Sequence, residues 1–182
     1  MREIAAGGAP FDNSPLLTLL ETIERLPQPV IAAVNGAAMA GGAALVTACD
    51  LAICGESATF GYPGVKRGLV APLVMTYLCR LVGERHAKFL LLTGESVSAR
   101  RACELGLVNE VVPDAALLER TRQVAELLAT CPRDAVAQTK ALLARLRMPR
   151  ADEARRLDAL VTSTAPEQID SDRPDRNSRG SR

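Results

Sequence analysis

The segment Pro29–Asp50, PVIAAVNGAAMAGGAALVTACD, has the composition of a site that binds negative charge through its backbone. The apolar run Val30–Val34 predicts a buried strand, Asn35-Gly36 predicts a turn, and Gly41-Gly42 lies near the start of a short apolar helix. Glycine lets the backbone approach a ligand closely, and a helix N-terminus offers free N–H groups and the positive end of the helix dipole. The segment holds no Asp or Glu before its final residue. It can therefore bind an anion, but it supplies no carboxylate acid or base beside the glycines.

Other residue types that often do chemistry are isolated in this chain. His86 is the only histidine and lies among charged residues on a predicted helix, which is typical of a solvated surface. The five cysteines are scattered and form no C-x-x-C pair. We therefore expect reduced thiols that behave as small, buried apolar side chains in a cytosolic protein. No grouping of His, Cys and carboxylates predicts a metal site.

Length and composition indicate one globular unit with an aliphatic core. The chain has 182 residues, no Trp and few aromatic residues, and its net charge of +1 does not favour nucleic acid as a partner. No apolar run is long enough for a membrane span, and the N-terminus lacks a signal pattern. We therefore expect a cytoplasmic protein with no membrane partner. Residues 166–182 are charged and rich in Ser and Arg, which predicts a disordered tail.

Short strands and helices alternate in the first part of the chain, and helices dominate the second part. This order predicts an α/β core followed by a helical C-terminal region. Ser98 is placed to cap a helix that Gly106 follows, and Gly83 interrupts the helical pattern beyond Pro72. The predicted strands are Val30–Val34, Leu51–Cys54, Thr59–Gly61 and Leu107–Val112. The predicted helices are Ser14–Leu26, Met39–Ala48, Leu73–Leu81, Arg85–Leu92, Ala99–Leu105, a helix capped by Asp114 that ends at Ala129, a helix from Pro132 to Leu146, and Arg150–Val161.

The two helices between Leu117 and Leu146 carry apolar faces that this chain is too short to cover. Such faces usually mark a surface for a partner, so we expect self-association through this region. The side chains expected to point inward are Leu117, Leu118, Thr121, Val124, Ala125, Leu128, Val136, Thr139, Leu143 and Leu146.

Three sequence blocks, in this order and at these distances, resemble the enoyl-CoA hydratase/isomerase (crotonase) family. They are PVIAAVNGAAMAGGAALVTACDLAI, SATFGYPGVKRGLV and LCRLVGERHAKFLLLTGESVSARRACELGLVNEVVP, and the resemblance covers the chain from Leu16 to Leu146. It implies an α/β fold with a crotonase-like (ClpP/crotonase) core, a spiral of ββα turns, and a C-terminal helical trimerisation region. On this basis residues 1–112 form the core and residues 113–165 the oligomerisation region of a trimer or a dimer of trimers.

The resemblance also implies a substrate, an acyl-CoA thioester. In the family, two backbone N–H groups form an oxyanion hole that stabilises the enolate formed at the thioester carbonyl, and Gly41 matches one of these donors. The implied substrate-binding residues are Ala40, Gly41, Gly42, Tyr62 and Pro63. Coenzyme A enters as part of the substrate, with no separate cofactor and no metal. The alternative is that the two glycines only permit close packing of the helix.

Several positions depart from the family's pattern. The family's hydratases place one glutamate three residues after the oxyanion glycine and a second just after the F-G-x-P element, where this chain has Ala44 and Gly64. Hydration of an enoyl double bond needs an acid and a base, and one positioned group contributes typically about 10²–10⁴-fold. The portion with the other oxyanion N–H has no match before Leu16. We therefore expect a chain that is shortened at its N-terminus and altered at its C-terminus.

Three further positions each have two interpretations. Tyr62 borders the expected acyl pocket, where it donates a hydrogen bond or simply packs. Lys66-Arg67 contacts a phosphate of coenzyme A or belongs to a solvated loop. Asp50 follows Cys49, as it commonly does in the family, and we expect it to form structural hydrogen bonds rather than to act in catalysis.

These departures leave three hypotheses for the function. The first is an acyl-CoA enzyme of the hydratase/isomerase class, a lyase or isomerase of fatty acid metabolism by resemblance, in which hydration is weak or lost. The second is decarboxylation of a malonyl-type CoA ester, or isomerisation, on the same scaffold, because an oxyanion hole stabilises an enolate without a carboxylate base. The third is a non-catalytic CoA-binding subunit or a fragment of a longer protein.

Overall fold

The computed structural model describes residues 14–68 and 72–146, in which strands and helices alternate as expected for an α/β fold. The predicted helix Arg150–Val161 and the predicted disordered tail, residues 166–182, lie outside the described residues. The strands are β1 (Ile31–Val34), β2 (Ala37–Met39), β3 (Leu51–Gly55), β4 (Thr59–Gly61), β5 (Ser96–Ser98) and β6 (Glu110–Val112). The helices are α1 (Ser14–Arg25), α2 (Gly41–Ala48), α3 (Pro72–Thr93), α4 (Ala99–Glu104), α5 (Leu117–Ala129) and α6 (Arg133–Leu146).

The six described strands form two three-stranded sheets. In the first sheet the order is β1–β3–β6 and all pairs are parallel, with Ile31 opposite Leu51. In the second sheet the order is β2–β4–β5, with β2 parallel and β5 antiparallel to the central strand. The chain leaves the first sheet after β1, adds β2 to the second sheet, and returns to the first through α2. This order of strand, strand and helix agrees with the expected ββα turn.

A mainly aliphatic core joins helices α1 to α4 to both sheets. Leu20 of α1, Ala44 of α2, Phe60 of β4, and Leu78 and Leu90 of α3 are fully buried within it. β3 is buried along almost its whole length, as expected for a central parallel strand that is covered on both faces. The core therefore holds α2 between the two sheets and α3.

Two predicted helix signals are confirmed. α3 runs from Pro72 to Thr93 but has non-helical backbone angles at Gly83 (φ 72°, ψ 162°), which is the predicted interruption. The side chain of Ser98 caps α4, because its hydroxyl accepts a hydrogen bond from the N–H of Arg101 at 3.3 Å. Gly106 follows α4 with φ 80°, a left-handed conformation that glycine adopts without strain.

The sequence did not predict β2 and β5, and it placed two boundaries wrongly. Met39, expected to begin a helix, instead ends β2, and the helix starts at Gly41. The last predicted strand is shorter than expected, because β6 begins only at Glu110. Before it, the side-chain oxygen of Asn109 accepts the N–H of Ala52, and the N–H of Asn109 donates to the oxygen of Ala52, both at 2.8 Å. The Asn109 side chain thus replaces one of the backbone hydrogen bonds that a longer strand would form.

Asp114 does not cap a helix, contrary to the prediction. It begins a short 3₁₀ turn, Asp114–Ala116, and no side chain of the residues that the structure describes caps α5. Its Oδ1 instead accepts a hydrogen bond from the N–H of Ser57 at 3.1 Å. A Cβ at Gly55 would lie only 2.1 Å from this oxygen, so the close approach requires glycine at that position.

The expected inward faces of α5 and α6 are largely exposed. In α5 only Leu117 is buried, and Leu118 is 76% exposed, so the prediction for Leu118 is wrong. No residue of α6 is buried, and Leu143 and Leu146 are each about half exposed. These helices therefore leave an apolar surface uncovered in the described part of the chain.

The cysteines within the described residues are all free, as expected, but only one is buried. Cys54 is buried in β3, whereas Cys79 and Cys131 are exposed. The prediction that the cysteines are small core residues is therefore wrong for these two. Burial raises the pKa of the Cys54 thiol to about 11, which keeps it protonated and unreactive.

Candidate functional site

A single residue, Ala40, joins β2 to α2. Its N–H donates a hydrogen bond to the oxygen of Gly61 at the end of β4, at 2.9 Å. Its backbone angles are φ 49° and ψ −111°, and it is the only non-glycine residue with a positive φ among residues 14–68 and 72–146. Strain of this kind costs of order 1–3 kcal/mol and is concentrated at functional sites. The chain therefore enters α2 through a sharp, strained turn that the neighbouring strand holds in place.

The N-terminus of α2 is open to an acceptor. The first bond of the helix runs from the N–H of Ala44 to the oxygen of Ala40 at 3.0 Å, so the N–H groups of Gly41, Gly42 and Ala43 come before it. Among residues 14–68 and 72–146, no side chain caps the helix, and its first turn holds no acidic residue. These amides, together with the positive end of the helix dipole, suit a carbonyl oxygen or an oxyanion.

Packing does not explain the two glycines at the start of α2. A Cβ built on Gly41 would meet only Leu16 Cδ2, at an ordinary contact distance of 3.6 Å, and one built on Gly42 would meet nothing within 4 Å. By contrast, a Cβ on Gly61 would lie 2.6 Å from Ser96 Oγ. In the described part of the chain, a methyl group would therefore fit at both positions, and the space beside Gly42 is open. The alternative that these glycines only permit close packing loses its support.

The two positions that hold glutamates in the family's hydratases carry no acid here. Ala44 is fully buried inside α2, and its oxygen accepts a hydrogen bond from the Thr47 hydroxyl at 2.8 Å. Gly64 is half-buried in the 3₁₀ segment Pro63–Arg67 that follows β4. The strands and helices that meet at the α2 N-terminus, β2, α2 and β4, contain no Asp or Glu. A proton transfer at this site would therefore need a group other than a carboxylate of these elements.

Tyr62 and Pro63, expected to border the substrate, follow the end of β4 directly. Because Met39 pairs with Gly61 and the N–H of Ala40 bonds to Gly61, Tyr62 lies beside the strained turn. The side chain of Tyr62 is only 4% exposed, and burial raises the pKa of its hydroxyl far above the usual value. The structure therefore brings Ala40, Gly41 and Tyr62 together at one end of α2.

Asp50 lies at the other end of α2 and has the expected structural contacts. Its Oδ2 accepts a hydrogen bond from the N–H of Val30 at 2.8 Å and lies 2.6 Å from Lys140 Nζ. Both charged side chains of this pair are largely buried, at 19% and 11% exposure. Asp50 therefore joins the start of β1 to α6 and lies away from the open amides.

Lys140, the residue with the largest set of polar contacts in α6, was not predicted from the sequence. Besides Asp50, its Nζ donates to the oxygens of Ile23 and Gln28, each at 3.0 Å. A signal was present, because Lys140 follows Val136 by four residues and therefore lies on the predicted inward face. A charged residue on an apolar helix face indicates a buried partner.

A cavity of about 650 Å³ lies near the C-terminal end of α2, separate from the candidate site. Its walls are mainly apolar and come from α3, α5, α6, the residue Pro29 before β1, and the chain from the end of α2 to the start of β3. None of the expected substrate-binding residues contributes to them. The residues around it are Pro29, Thr47, Cys49, Asp50, Leu51, Tyr77, Arg80, Leu81, Leu128, Cys131, Pro132, Ala135, Val136, Thr139, Lys140 and Leu143.

The remaining candidate residues have ordinary surface contacts. Lys66 forms an exposed ion pair with Glu95 at 2.6 Å, and exposed His86 lies with Nδ1 3.1 Å from the oxygen of Val82. Over residues 14–68 and 72–146, no three His, Cys, Asp or Glu side chains are grouped so that they could hold a metal ion. No helix in the same ranges has both the length and the apolar character that crossing a membrane requires.

Comparison with known protein families identifies the family to which this chain belongs. The family model for enoyl-CoA hydratase/isomerase matches residues 8–173. The chain belongs to this family. Its fold is the crotonase fold of the enoyl-CoA hydratases: the crystal structure of the enoyl-CoA hydratase from Bacillus anthracis aligns with a TM-score of 0.79 and 36% identity, over 82% of this chain and 58% of that chain. The predicted family and fold class are both confirmed.

Relatives of this family member are found in bacteria and eukaryotes. A Thermus thermophilus protein named as an enoyl-CoA hydratase is 45% identical over 148 residues, which are 81% of this chain and 58% of the relative. The human enoyl-CoA hydratase domain-containing protein 3, mitochondrial, is 41% identical over 119 residues, which are 65% of this chain and 39% of the relative. Its crystal structure gives a TM-score of 0.77 at 34% identity, over 82% of this chain and 59% of that chain. The chain thus spans between 39% and 59% of the lengths of these relatives.

Proposed function

We propose that this family member binds an acyl-CoA thioester with the thioester oxygen at the N-terminus of α2, where the N–H of Gly41 donates to it. The observation that carries the proposal is the uncapped helix start behind the strained residue Ala40, with two glycines that packing in the described residues does not require. Ala40, Gly42, Tyr62 and Pro63 border the acyl group. Coenzyme A enters as part of the substrate, and no separate cofactor takes part.

Charge that develops on the thioester oxygen strengthens its bond to the Gly41 amide. A hydrogen bond to a charged acceptor is about twice as strong as one between neutral groups. The site therefore stabilises an enolate more than the thioester from which it forms, which is the requirement for catalysis by an oxyanion hole. Hydration has no such support, because Ala44 and Gly64 supply neither the acid nor the base that it needs.

Decarboxylation of a malonyl-type CoA ester is the second candidate, and the fully buried Ala44 favours it. In this reaction the bond from the α-carbon to the carboxylate breaks, and CO₂ leaves. The electron pair of the broken bond stays with the α-carbon and forms the enolate. The α-carbon then takes a proton from water. The step needs no carboxylate base.

Binding and turnover can be separated by titration calorimetry and two activity assays. We expect acetyl-CoA to bind, crotonyl-CoA hydration to be weak or absent, and CO₂ to be released from malonyl-CoA. Hydration at the rate of an ordinary hydratase would contradict the assignment of Ala44 and Gly64. Binding of acetyl-CoA without any turnover would leave a non-catalytic CoA-binding subunit, and no binding would overturn the proposal.

We also expect this chain to self-associate through the apolar surface of α5 and α6. Leu118, Leu127, Leu143 and Leu146 are between half and three-quarters exposed, more than isolated surface leucines would explain. We propose a trimer or a dimer of trimers that buries these side chains. Light scattering at micromolar concentration is expected to give a mass of three or six chains, and a clean monomer would contradict it.

The place of action is proposed as the cytoplasm, with a role in fatty acid metabolism. The human relative carries the word mitochondrial in its name. Fractionation of cells that express this chain from its own gene checks the proposal, and recovery with an organelle would overturn it.

A further inference from the structure

The hydroxyl of Tyr62 is the one buried side-chain polar atom without a hydrogen-bond partner in the described part of the chain. The side chain is only 4% exposed, so solvent does not satisfy the hydroxyl. A buried hydroxyl without a partner carries a desolvation penalty, and native proteins keep few such groups. Tyr77, the other tyrosine, is also buried, but its hydroxyl donates to Glu24 Oε2 at 3.1 Å.

The position of Tyr62 connects this hydroxyl to the candidate site. Tyr62 is the residue after β4, and the bond from the N–H of Ala40 to Gly61 places it next to the turn into α2. Side chains alternate along a strand, so Tyr62 shares a face with Phe60, which is fully buried. Tyr62 and Ala44 belong to the same buried cluster. The phenol therefore belongs to the same core as Ala44, which stands where the family's hydratases have a glutamate.

We infer that the Tyr62 hydroxyl donates a hydrogen bond to the acyl group of the thioester that binds at the N-terminus of α2. This inference rests on the proposed function, since it assigns a second donor to the same ligand. A phenol both donates and accepts, so a ligand oxygen satisfies a hydroxyl that the free protein leaves without a partner. The residue thereby becomes a substrate-binding group rather than a packing residue.

The chemistry available to Tyr62 is that of a donor and not of a base. Burial raises the pKa of the hydroxyl far above its ordinary value, so the group stays protonated across neutral pH. It can stabilise negative charge on the acyl oxygen, but it cannot remove a proton from water. This matches a site that supports an enolate and does not support hydration.

Tyr62→Phe tests the inference, because it removes the hydroxyl and keeps the ring. The affinity for acetyl-CoA is expected to fall about fivefold to tenfold, the effect of one hydrogen bond, while the affinity for free coenzyme A stays the same. The melting temperature of the free protein should stay unchanged or rise, because the variant no longer buries an unsatisfied group. Calorimetry and thermal unfolding give the two readouts.

Tyr77→Phe is the matched control, since it removes a buried hydroxyl that has a partner, Glu24. It should lower the melting temperature and leave both affinities unchanged. An unchanged affinity of the Tyr62→Phe variant for acetyl-CoA would overturn the inference and leave the proposed function standing. A fall in its melting temperature as large as that of the control would also overturn it, because the hydroxyl would then have a partner in the free protein. Failure of the wild-type protein to bind acetyl-CoA would overturn the proposed function and this role with it.

Discussion

Replacing Gly41 with proline is expected to weaken the binding of an enolate-like ligand by about 10-fold to 100-fold. Proline lacks the backbone N–H, so the variant deletes the amide that we assign to the thioester oxygen. The first helical position tolerates proline well, because its N–H has no partner within the helix and φ is already suitable. Ala40, the preceding residue, has φ 49° and ψ −111°, outside the extended region that proline favours in its predecessor, so circular dichroism must first show that the variant is folded.

The ligand for this measurement is a nitronate analogue of acetyl-CoA, which carries negative charge where the enolate oxygen would be. Titration calorimetry should show the whole 10-fold to 100-fold loss of affinity, about the effect of one charged hydrogen bond, for the nitronate. The affinity for free coenzyme A should stay nearly unchanged. Any turnover that passes through an enolate should fall further, by about 10²–10³-fold, as when one oxyanion donor is removed. Equal affinity of the wild type and the proline variant for the nitronate would show that the Gly41 amide does not contact the charged oxygen.

Gly41→Ala separates the loss of the amide from the gain of side-chain bulk. The added Cβ would lie 3.6 Å from Leu16 Cδ2, an ordinary contact, so the variant should fold. It keeps the N–H and should retain most of the affinity for the nitronate. A loss as large as that of the proline variant would mean that the space beside Gly41, and not its amide, determines binding.

The elements that surround the candidate site could be predicted from the sequence because they depend on local signals. The apolar run that becomes β1, the turn at Asn35-Gly36 and the pair Gly41-Gly42 each have a clear backbone preference, and the structure places them in that order. The absence of carboxylates at Ala44 and Gly64 could also be read directly. These features need only their neighbours in the chain to be interpreted.

The features that the sequence did not predict depend on contacts between distant parts of the chain. β2 and β5 have three residues each, too few for a periodic pattern, and both exist because β4 lies between them. The positive φ of Ala40 is similar, since alanine has no preference for it and the bond to Gly61 holds it there. Leu107 and Val108 are apolar enough to extend a strand, but the bonds between Asn109 and Ala52 end the regular pairing.

Replacing Lys140 with methionine is expected to lower the free energy of unfolding by about 3 kcal/mol. The change keeps the length of the side chain but removes three contacts of Nζ, with Asp50 at 2.6 Å and with the oxygens of Ile23 and Gln28 at 3.0 Å. Asp50 would then keep only the hydrogen bond that it accepts from the N–H of Val30. Its carboxylate would remain largely buried with an unpaired charge. Urea unfolding at neutral pH measures the loss.

The effect should be concentrated in α6. No residue of this helix is buried, so apolar packing holds it only weakly and the contacts of Lys140 supply much of its attachment. Hydrogen exchange of the α6 amides should therefore become faster in the variant than exchange in β1 and β3. Uniform loss of protection over the whole chain would show instead that the ion pair stabilises the core and not the helix.

Two further variants identify the buried charge as the cause. Lys66→Met breaks an ion pair with Glu95 in which both side chains are more than half exposed, and it should cost less than about 1 kcal/mol. The double variant Lys140→Met with Asp50→Asn should be more stable than Lys140→Met alone, because no unpaired carboxylate charge is then left in the protein. If the double variant is instead less stable than the single one, the hydrogen bonds of Asp50 matter more than its charge. If Lys140→Met costs no more than Lys66→Met, the buried pair contributes little and α6 is held by its apolar contacts.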